Sequence, residues 1–95
     1  MAAGRRPLIV CAPNAFKGTL TAAEAAAAMA RGVRRAVRGA TAVEVPVADG
    51  GDGTLDVLLQ AAGDAARVER VRVTGPHGQA VEARLGWTDA TTAVV

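Results

Sequence analysis

One segment organises the chain: Val47-Ala48-Asp49-Gly50-Gly51-Asp52-Gly53-Thr54. It sets two carboxylates among three glycines where a predicted strand passes into a predicted helix. Glycine lets a ligand approach the backbone closely, and a helix N-terminus offers unpaired N–H groups that favour anions. Two aspartates repel a bare phosphate, so we expect a phosphate here to arrive with Mg²⁺, or the aspartates to face a hydroxyl group. A phosphoryl-transfer site satisfies either condition.

The apolar pattern predicts two neighbouring parallel strands. Residues 8–12 form a continuous apolar run typical of a buried parallel strand. Residues 43–47 form the second strand, in which Pro46 favours an edge position and an irregular end. Ligands of open parallel sheets bind beyond the carboxyl ends of the strands, so we expect the loops that follow these two strands to lie side by side.

A long helix is predicted between the two strands, over residues 22–38. Thr21 and Glu24 form a capping box before it, and Gly39 is placed to end it. Gly32 is interpreted as allowing close approach to the sheet. The predicted buried face of this helix consists of Ala22, Ala25, Met29, Val33 and Val37.

After the glycine-rich loop the pattern predicts a second helix and then paired strands. The apolar face of this helix consists of Leu55, Leu58, Leu59 and Ala62, and Gly63 ends it. Alternating runs over 68–73 and 81–87 flank a turn at Gly75-Pro76-His77-Gly78, and a third strand begins near the C-terminus. The order strand, helix, strand, helix, strands predicts an α/β protein.

The predicted topology places one cation against two carboxylates. Lys17 lies in the loop after the first strand, and Asp49 and Asp52 lie in the loop after the second. The glycine loop is neither a Walker A motif nor a dinucleotide fingerprint, and it lacks the ligand spacing of a calcium-binding loop. From these residues alone, a functional loop and an ordinary Asp-Gly turn both stay open.

Composition narrows the class of protein. With 95 residues, 51% of them hydrophobic, we expect at most one ordered domain. The net charge of +2, without clustered basic and aromatic residues, argues against a nucleic-acid partner. Cys11 is interpreted as a core residue, and no internal disulfide is possible. Without a membrane-length segment or a signal peptide, we expect a cytoplasmic protein with no membrane partner. A solvated helix face is favoured over a phosphate-binding patch for the four arginines that share one helix face, Arg31, Arg34, Arg35 and Arg38.

Four ordered motifs resemble the N-terminal part of the bacterial glycerate kinase family, and together they cover nearly the whole chain. They are Ala12-Pro13-Asn14-Ala15-Phe16-Lys17-Gly18-Thr19-Leu20-Thr21-Ala22, Val45-Pro46-Val47-Ala48-Asp49-Gly50-Gly51-Asp52-Gly53-Thr54, Val73-Thr74-Gly75-Pro76-His77-Gly78 and Thr91-Thr92-Ala93-Val94-Val95. Because members of the family are several times longer, the resemblance implies an N-terminal fragment. The chain also stops within a predicted strand, which favours the same interpretation.

The resemblance carries expectations for fold and activity. The family's fold is described as a discontinuous Rossmann-like α/β domain with a second α/β domain inserted into it. It implies a first Rossmann-like piece (βαβα) over residues 1–74 and the opening strands of the second domain over residues 75–95. It also implies transfer of the γ-phosphoryl group of ATP to a hydroxyl of glycerate, with Mg²⁺ present. ATP and Mg²⁺ are thus the expected cofactors and glycerate the expected substrate; the oligomeric state is left open.

The resemblance also suggests roles for particular residues. We expect Lys17 to stabilise charge, Asp49 to act as the base or a metal ligand, and Asp52 to be a second Mg²⁺ ligand. The substrate- and phosphate-binding set is Asn14, Gly18, Gly50, Gly51, Asp52, Gly53 and Thr54. Other readings stay open: Lys17 as a solvated loop residue, and Asp52 or Thr54 as a helix cap. Phe16 and Trp87 are interpreted as packing residues and His77 as exposed.

Three functions are therefore compared. The first is a glycerate kinase represented by its N-terminal part, with the isolated 95 residues inactive. The second is a short remnant of that family that binds an anion or a partner without catalysis. The third, a nucleotide-binding module of the dehydrogenase type, is disfavoured because no glycine fingerprint follows the first strand.

Overall fold

The computed structural model of the protein describes residues 6–95 and has a mixed α/β fold, as predicted. The helices and strands, in chain order, are β1 (Leu8–Cys11), α1 (Ala22–Ala36), β2 (Thr41–Glu44), α2 (Thr54–Ala62), β3 (Arg67–Thr74), β4 (Ala80–Trp87) and β5 (Ala93–Val94). The chain forms two compact units, Met1–Val57 and Leu58–Val95. The predicted domain limits, 1–74 and 75–95, stay a prediction, and residues 1–5 lie outside the described part.

Strands β1 and β2 pair in parallel, which confirms the predicted arrangement. Leu8 pairs with Thr41 and Cys11 with Glu44. The second strand therefore begins and ends earlier than the predicted 43–47. Beyond it, the Val45 N–H donates to the Cys11 carbonyl (2.9 Å) and the Val47 N–H to the Pro13 carbonyl (3.1 Å). Pro46 falls between these donors, where a backbone N–H would point away from β1, so its missing N–H costs no bond to that strand.

Helix α1 begins with the predicted capping box. The Thr21 hydroxyl accepts from the Glu24 N–H (3.1 Å), and the Glu24 carboxylate accepts from the Thr21 N–H (2.9 Å). The helix ends at Ala36, two residues before the predicted end at 38, because Val37 adopts an extended conformation. Gly39 lies in the turn that leads into β2.

The core of the first unit consists of small side chains. The buried hydrophobic residues in the described part are Cys11, Ala22, Ala25, Ala26 and Ala30. Burial of Cys11, Ala22 and Ala25 was predicted, whereas the predicted burial of Met29 is wrong, since this side chain is 47% exposed. The expectation for Gly32 is also wrong: the residue is exposed, and apart from its chain neighbours and the backbone of its own helix no heavy atom lies within 4 Å of an added Cβ. The helix approaches the sheet along its alanines instead.

The face of the β1–β2 sheet that lies opposite helix α1 is apolar, and within residues 6–95 it is not covered. Leu8 and Val10 point to this face and are 67% and 56% exposed. Val43, paired with Val10, and Val45 extend the same surface. Parallel sheets are normally covered on both faces, so this one has the composition of an interior surface without a cover in the described part of the chain.

Helix α2 is amphipathic, but it contains no fully buried residue. Leu55, Leu59 and Ala62 are half-buried and Leu58 is 39% exposed, so the predicted buried face is only partly covered. The helix ends before Gly63, as predicted, and one 3-10 turn follows over Gly63–Ala65.

The second unit contains an antiparallel hairpin of β3 and β4, with β5 added to β4. The pairing runs from Arg67–Trp87 to Thr74–Ala80. His77 lies exposed in the turn, as expected. Trp87 is half-buried: the Arg67 guanidinium lies 4.5 Å from its ring centroid, and its indole N–H donates to the Glu69 carboxylate (3.0 Å).

Candidate functional site

The loops that follow β1 and β2 lie against each other, as the topology predicted. A Cβ placed on Gly53 would be 3.8 Å from the Cβ of Ala15. The hydrogen bonds that continue the pairing as far as Pro13 and Val47 guide both loops out of the same end of the sheet. Lys17 and the two aspartates are thereby brought to one region.

The first loop closes into a tight turn that presents Lys17. The Phe16 carbonyl accepts from the N–H groups of Thr19 (2.8 Å) and Leu20 (3.0 Å), and the Phe16 N–H donates to the Leu20 carbonyl (2.9 Å). Lys17 is exposed within this turn. Phe16 is 56% exposed, so its interpretation as a packing residue is wrong. Upstream, the Asn14 side-chain oxygen accepts from the Ala15 N–H (2.7 Å) and fixes the start of the loop.

The second loop is held by its own polar groups. Asp49 Oδ1 accepts from the Gly51 N–H (3.1 Å). Thr54 Oγ1 accepts from the Gly50 N–H (3.0 Å) and donates to the Gly51 carbonyl (2.9 Å). Gly50 has a φ of +96°, a conformation that favours glycine. A Cβ on Gly51 would lie 3.3 Å from Asp49 Oδ1, so this close approach also favours glycine.

Sequence reasoning missed this internal network. A signal was present, because an Asp side chain readily accepts from the N–H two residues further on, which is the spacing from Asp49 to Gly51. The double role of the Thr54 hydroxyl has no comparable signal, since it depends on how the loop enters α2. Asp52 is the reverse case: within residues 6–95 its carboxylate accepts no hydrogen bond from the start of α2, so it does not act as a side-chain cap.

Two open pockets adjoin these loops. One, of about 310 Å³, is lined by Asn14, Ala15, Lys17, Asp49, Gly51 and Asp52. The other, of about 300 Å³, shares Ala15, Lys17 and Asp52 with it and adds Phe16, Gly18, Thr19, Leu20, Thr21, Glu24, Gly53 and Asp56. Of the predicted site residues, Gly50 and Thr54 line neither pocket; they bond to each other within the loop.

The charges of the first pocket face solvent. Lys17, Asp49 and Asp52 are exposed, and in the described part of the chain no ion pair joins the lysine to either aspartate. The lysine is therefore available to an anionic ligand. In the neighbouring pocket, hydrogen bonds from the backbone and side chain of Thr21 hold the pKa of Glu24 below its ordinary value, so Glu24 stays charged.

The donor set suits a magnesium ion that is shared with a ligand. Residues 6–95 contain no group of three or more acidic, histidine or cysteine side chains arranged to hold a metal. Asp49 and Asp52 nevertheless line one pocket, and Mg²⁺ commonly takes one or two carboxylates together with substrate phosphates and waters. Asp49 Oδ1 accepts from the Gly51 N–H, whereas Oδ2 accepts no hydrogen bond within residues 6–95 and is the less engaged oxygen for a cation or a proton.

Known proteins share the ordered sequence features of this chain. The sequence profile of the Glycerate kinase family matches residues 9–95. The chain belongs to the glycerate kinase family. This confirms the resemblance on which the predicted roles were based.

Individual relatives extend over most of the chain. It is 43% identical over 88 residues to Glycerate kinase of Bacillus subtilis (strain 168). This alignment covers 92% of this chain and 22% of the relative. It is 42% identical over 88 residues to Glycerate 2-kinase of Escherichia coli (strain K12), covering 92% of this chain and 23% of the relative. The chain thus spans about a fifth of the length of these glycerate kinase family proteins.

A solved structure shares the fold. The crystal structure of a proposed glycerate kinase 2 from Salmonella typhimurium LT2 superposes with a TM-score of 0.68 at 39% sequence identity. The match covers 86% of this chain and 21% of the other. Within residues 6–95, no helix combines the length and the apolar character needed to cross a membrane. The predicted ligand contacts of individual residues stay predictions.

Proposed function

We propose that the protein containing this chain is a cytoplasmic, ATP-dependent glycerate kinase that converts glycerate into a phosphoglycerate. The observation that carries the proposal is the pocket in which Lys17 faces Asp49 and Asp52 beside a glycine-rich loop. The names of the relatives indicate the substrate class. Phosphoryl transfer can use both the positive charge of Lys17 and the negative charges of Asp49 and Asp52.

In this proposal Lys17 supplies the positive charge. Glycerate carries a carboxylate, and the transferring phosphoryl group spreads negative charge over its oxygens. An exposed ammonium group without an ion-pair partner among residues 6–95 is suited to bind either of them. A positive charge in this pocket stabilises the transition state because it interacts with the negative charge that develops on the phosphoryl oxygens.

Asp49 is the proposed base or metal ligand and Asp52 the second carboxylate. One oxygen of Asp49 is tied to Gly51, which fixes the direction of the carboxylate and leaves the other oxygen for the substrate hydroxyl or for Mg²⁺. When bound with ATP, Mg²⁺ would neutralise phosphate charge that the two aspartates otherwise repel. Asn14, Gly18 and Gly53 line the same region and are proposed to shape the substrate site.

The test is a glycerate kinase assay on the full-length protein. Lys17→Met and Asp49→Asn are expected to lower kcat/KM by about a hundredfold or more, since each removes one charge that acts in the transition state. Arg31→Met and Asp64→Asn remove the same charges from exposed positions outside the pockets and are the matched controls. Near-normal turnover of both site variants would overturn the assigned roles.

The wild-type protein tests the activity itself. ADP formation that requires glycerate supports the proposal, and glycerate-independent or absent ADP formation would contradict it. Tight anion binding without turnover would favour a non-catalytic member of the family. We also infer that the 95 residues alone lack kinase activity, because they span about a fifth of the relatives; turnover by this chain alone would overturn that inference.

A further inference from the structure

We propose that Thr54 is a positioning residue: its hydroxyl acts on phosphoryl transfer by holding the loop that carries Asp49, and it does not bind the ligand. The inference rests on the proposed kinase function for its catalytic meaning. It differs from the expectation that Thr54 contacts phosphate or glycerate, and it follows from how the hydroxyl is already used.

Most of the hydrogen-bonding capacity of the Thr54 hydroxyl is used within the loop. A hydroxyl group carries one proton to donate, and Thr54 donates it to the Gly51 carbonyl at 2.9 Å. One lone pair accepts from the Gly50 N–H at 3.0 Å. Only one acceptor site is left. Phosphate and carboxylate oxygens are acceptors at neutral pH, so this remaining lone pair cannot bind the anionic groups of ATP or glycerate.

The same bonds determine what the loop can present. Thr54 holds Gly50 and Gly51 from the helix side, and Asp49 Oδ1 holds the Gly51 N–H from the strand side. Gly51 is therefore fixed through both its N–H and its carbonyl. The Asp49 side chain is part of this closed network. The Thr54 N–H also donates to the Gly51 carbonyl (3.2 Å), so removing the hydroxyl releases the Gly50 N–H and loosens Gly51, the residue that anchors the carboxylate.

This arrangement explains why Thr54 lines neither pocket while Asp49 lines one of them. Of the four bonded residues of the loop, Asp49 and Gly51 line the pocket, whereas Gly50 and Thr54 do not. Removing a group that orients a catalytic or metal-binding carboxylate commonly lowers activity by about tenfold to a hundredfold. We expect a loss of this size from Thr54→Val, which keeps the shape of the side chain and removes the hydroxyl.

The deciding experiment is a double-mutant cycle in the full-length protein. In the wild-type background, Thr54→Val should lower kcat about tenfold to a hundredfold with much smaller changes in KM. In the Asp49→Asn background, the same substitution should have little further effect, because the residue through which it acts is already impaired. Effects that multiply would show that Thr54 acts independently of Asp49, and a raised KM for one substrate at unchanged kcat would show direct ligand contact; either result would overturn the inference.

Two matched variants separate positioning from a general loss of structure. Thr54→Ser keeps the hydroxyl and should restore most of the wild-type kcat. Thr41→Val makes the same chemical change at an exposed β2 position and should leave kcat unchanged. If Thr54→Ser is as impaired as Thr54→Val, the hydroxyl is not the group that matters and the inference is wrong.

Hydrogen exchange measures the protection of the loop amides independently of catalytic activity. Thr54→Val should accelerate exchange of the Gly50 amide, whose acceptor is lost, while Thr54→Ser should keep the wild-type rate. Unchanged Gly50 exchange in Thr54→Val would overturn the inference even in a protein that phosphorylates no glycerate. An inactive wild-type protein with the expected exchange pattern would instead refute the kinase proposal and leave the role of Thr54 in the loop supported.

Discussion

Gly53 and Ala15 face each other across the two site loops, so that a Cβ placed on Gly53 would lie 3.8 Å from the Ala15 Cβ. That distance is ordinary van der Waals contact, so an added methyl group would not clash with Ala15. The backbone is the stronger constraint, because Gly53 has a φ of +86°.

Gly53→Ala is expected to lower the free energy of unfolding by about 1–2 kcal/mol, the cost of a left-handed conformation for a residue with a side chain. Gly32→Ala is the matched control, since Gly32 lies in α1 with open space around it. It should stabilise the protein by about 0.5–1 kcal/mol through reduced backbone entropy. Denaturant titration measures both; equal effects of the same sign would contradict the assignment.

The alanine face of α1 sets the distance between the helix and the sheet. Ala26 is fully buried at 0% exposure, whereas Ala28 is exposed on the same helix. Ala26→Leu should therefore destabilise the protein by about 1–3 kcal/mol through overpacking. Ala28→Leu should change stability by less than about 0.5 kcal/mol, since leucine is also a good helix former. Thermal denaturation of the two variants distinguishes a packed face from a solvated one.

The capping box predicts a defined pH dependence. The pKa of Glu24 lies below the ordinary 4.5 because the carboxylate accepts from the backbone and the side chain of Thr21. Its charge stabilises the folded state above that ordinary pKa, and this stabilisation is lost as the pH falls through the lower, folded-state pKa. Glu24→Gln keeps an acceptor but carries no charge. The stability difference between wild type and Glu24→Gln should be present at neutral pH and disappear in acid; a constant difference would contradict the prediction.

The cluster around Trp87 anchors the hairpin of the second unit. Its ring lies beside the Arg67 guanidinium and its indole N–H donates to Glu69. Trp87→Phe keeps the aromatic face and loses the donor, so we expect destabilisation of about 0.5–1.5 kcal/mol. Trp87→Ala also removes the buried ring surface and should cost about 1.5–3 kcal/mol. Chemical denaturation followed by circular dichroism tests this ranking, and a larger cost for Trp87→Phe would refute it.

Local chemistry made much of the fold predictable. The Thr21–Glu24 capping box depends only on residues three apart, and both of its hydrogen bonds are present. The apolar run that contains Cys11 gave the parallel strand, and strand order then gave the adjacency of the two loops. Lys17, Asp49 and Asp52 reach one pocket because of that adjacency.

The wrong predictions concern side chains whose burial depends on three-dimensional packing and is not determined by their spacing in the sequence. Helical spacing is compatible with either Met29 or Ala30 in the interior, and the small β1–β2 sheet takes Ala30 because a helix with an alanine face approaches more closely. Phe16 was interpreted as a packing residue, but the tight turn of its loop leaves it exposed. The bonds of Thr54 were missed because they depend on the three-dimensional path of the loop.

The uncovered apolar face of the β1–β2 sheet has a practical consequence for preparing the protein. Leu8 and Val10 would meet water in the isolated chain, next to strands whose outer edges have no neighbour in the described residues. A preparation of the 95 residues alone is expected to bind hydrophobic dyes and to self-associate as its concentration rises. Self-association, more than the chemistry of the site, would then limit what can be measured on the isolated 95 residues.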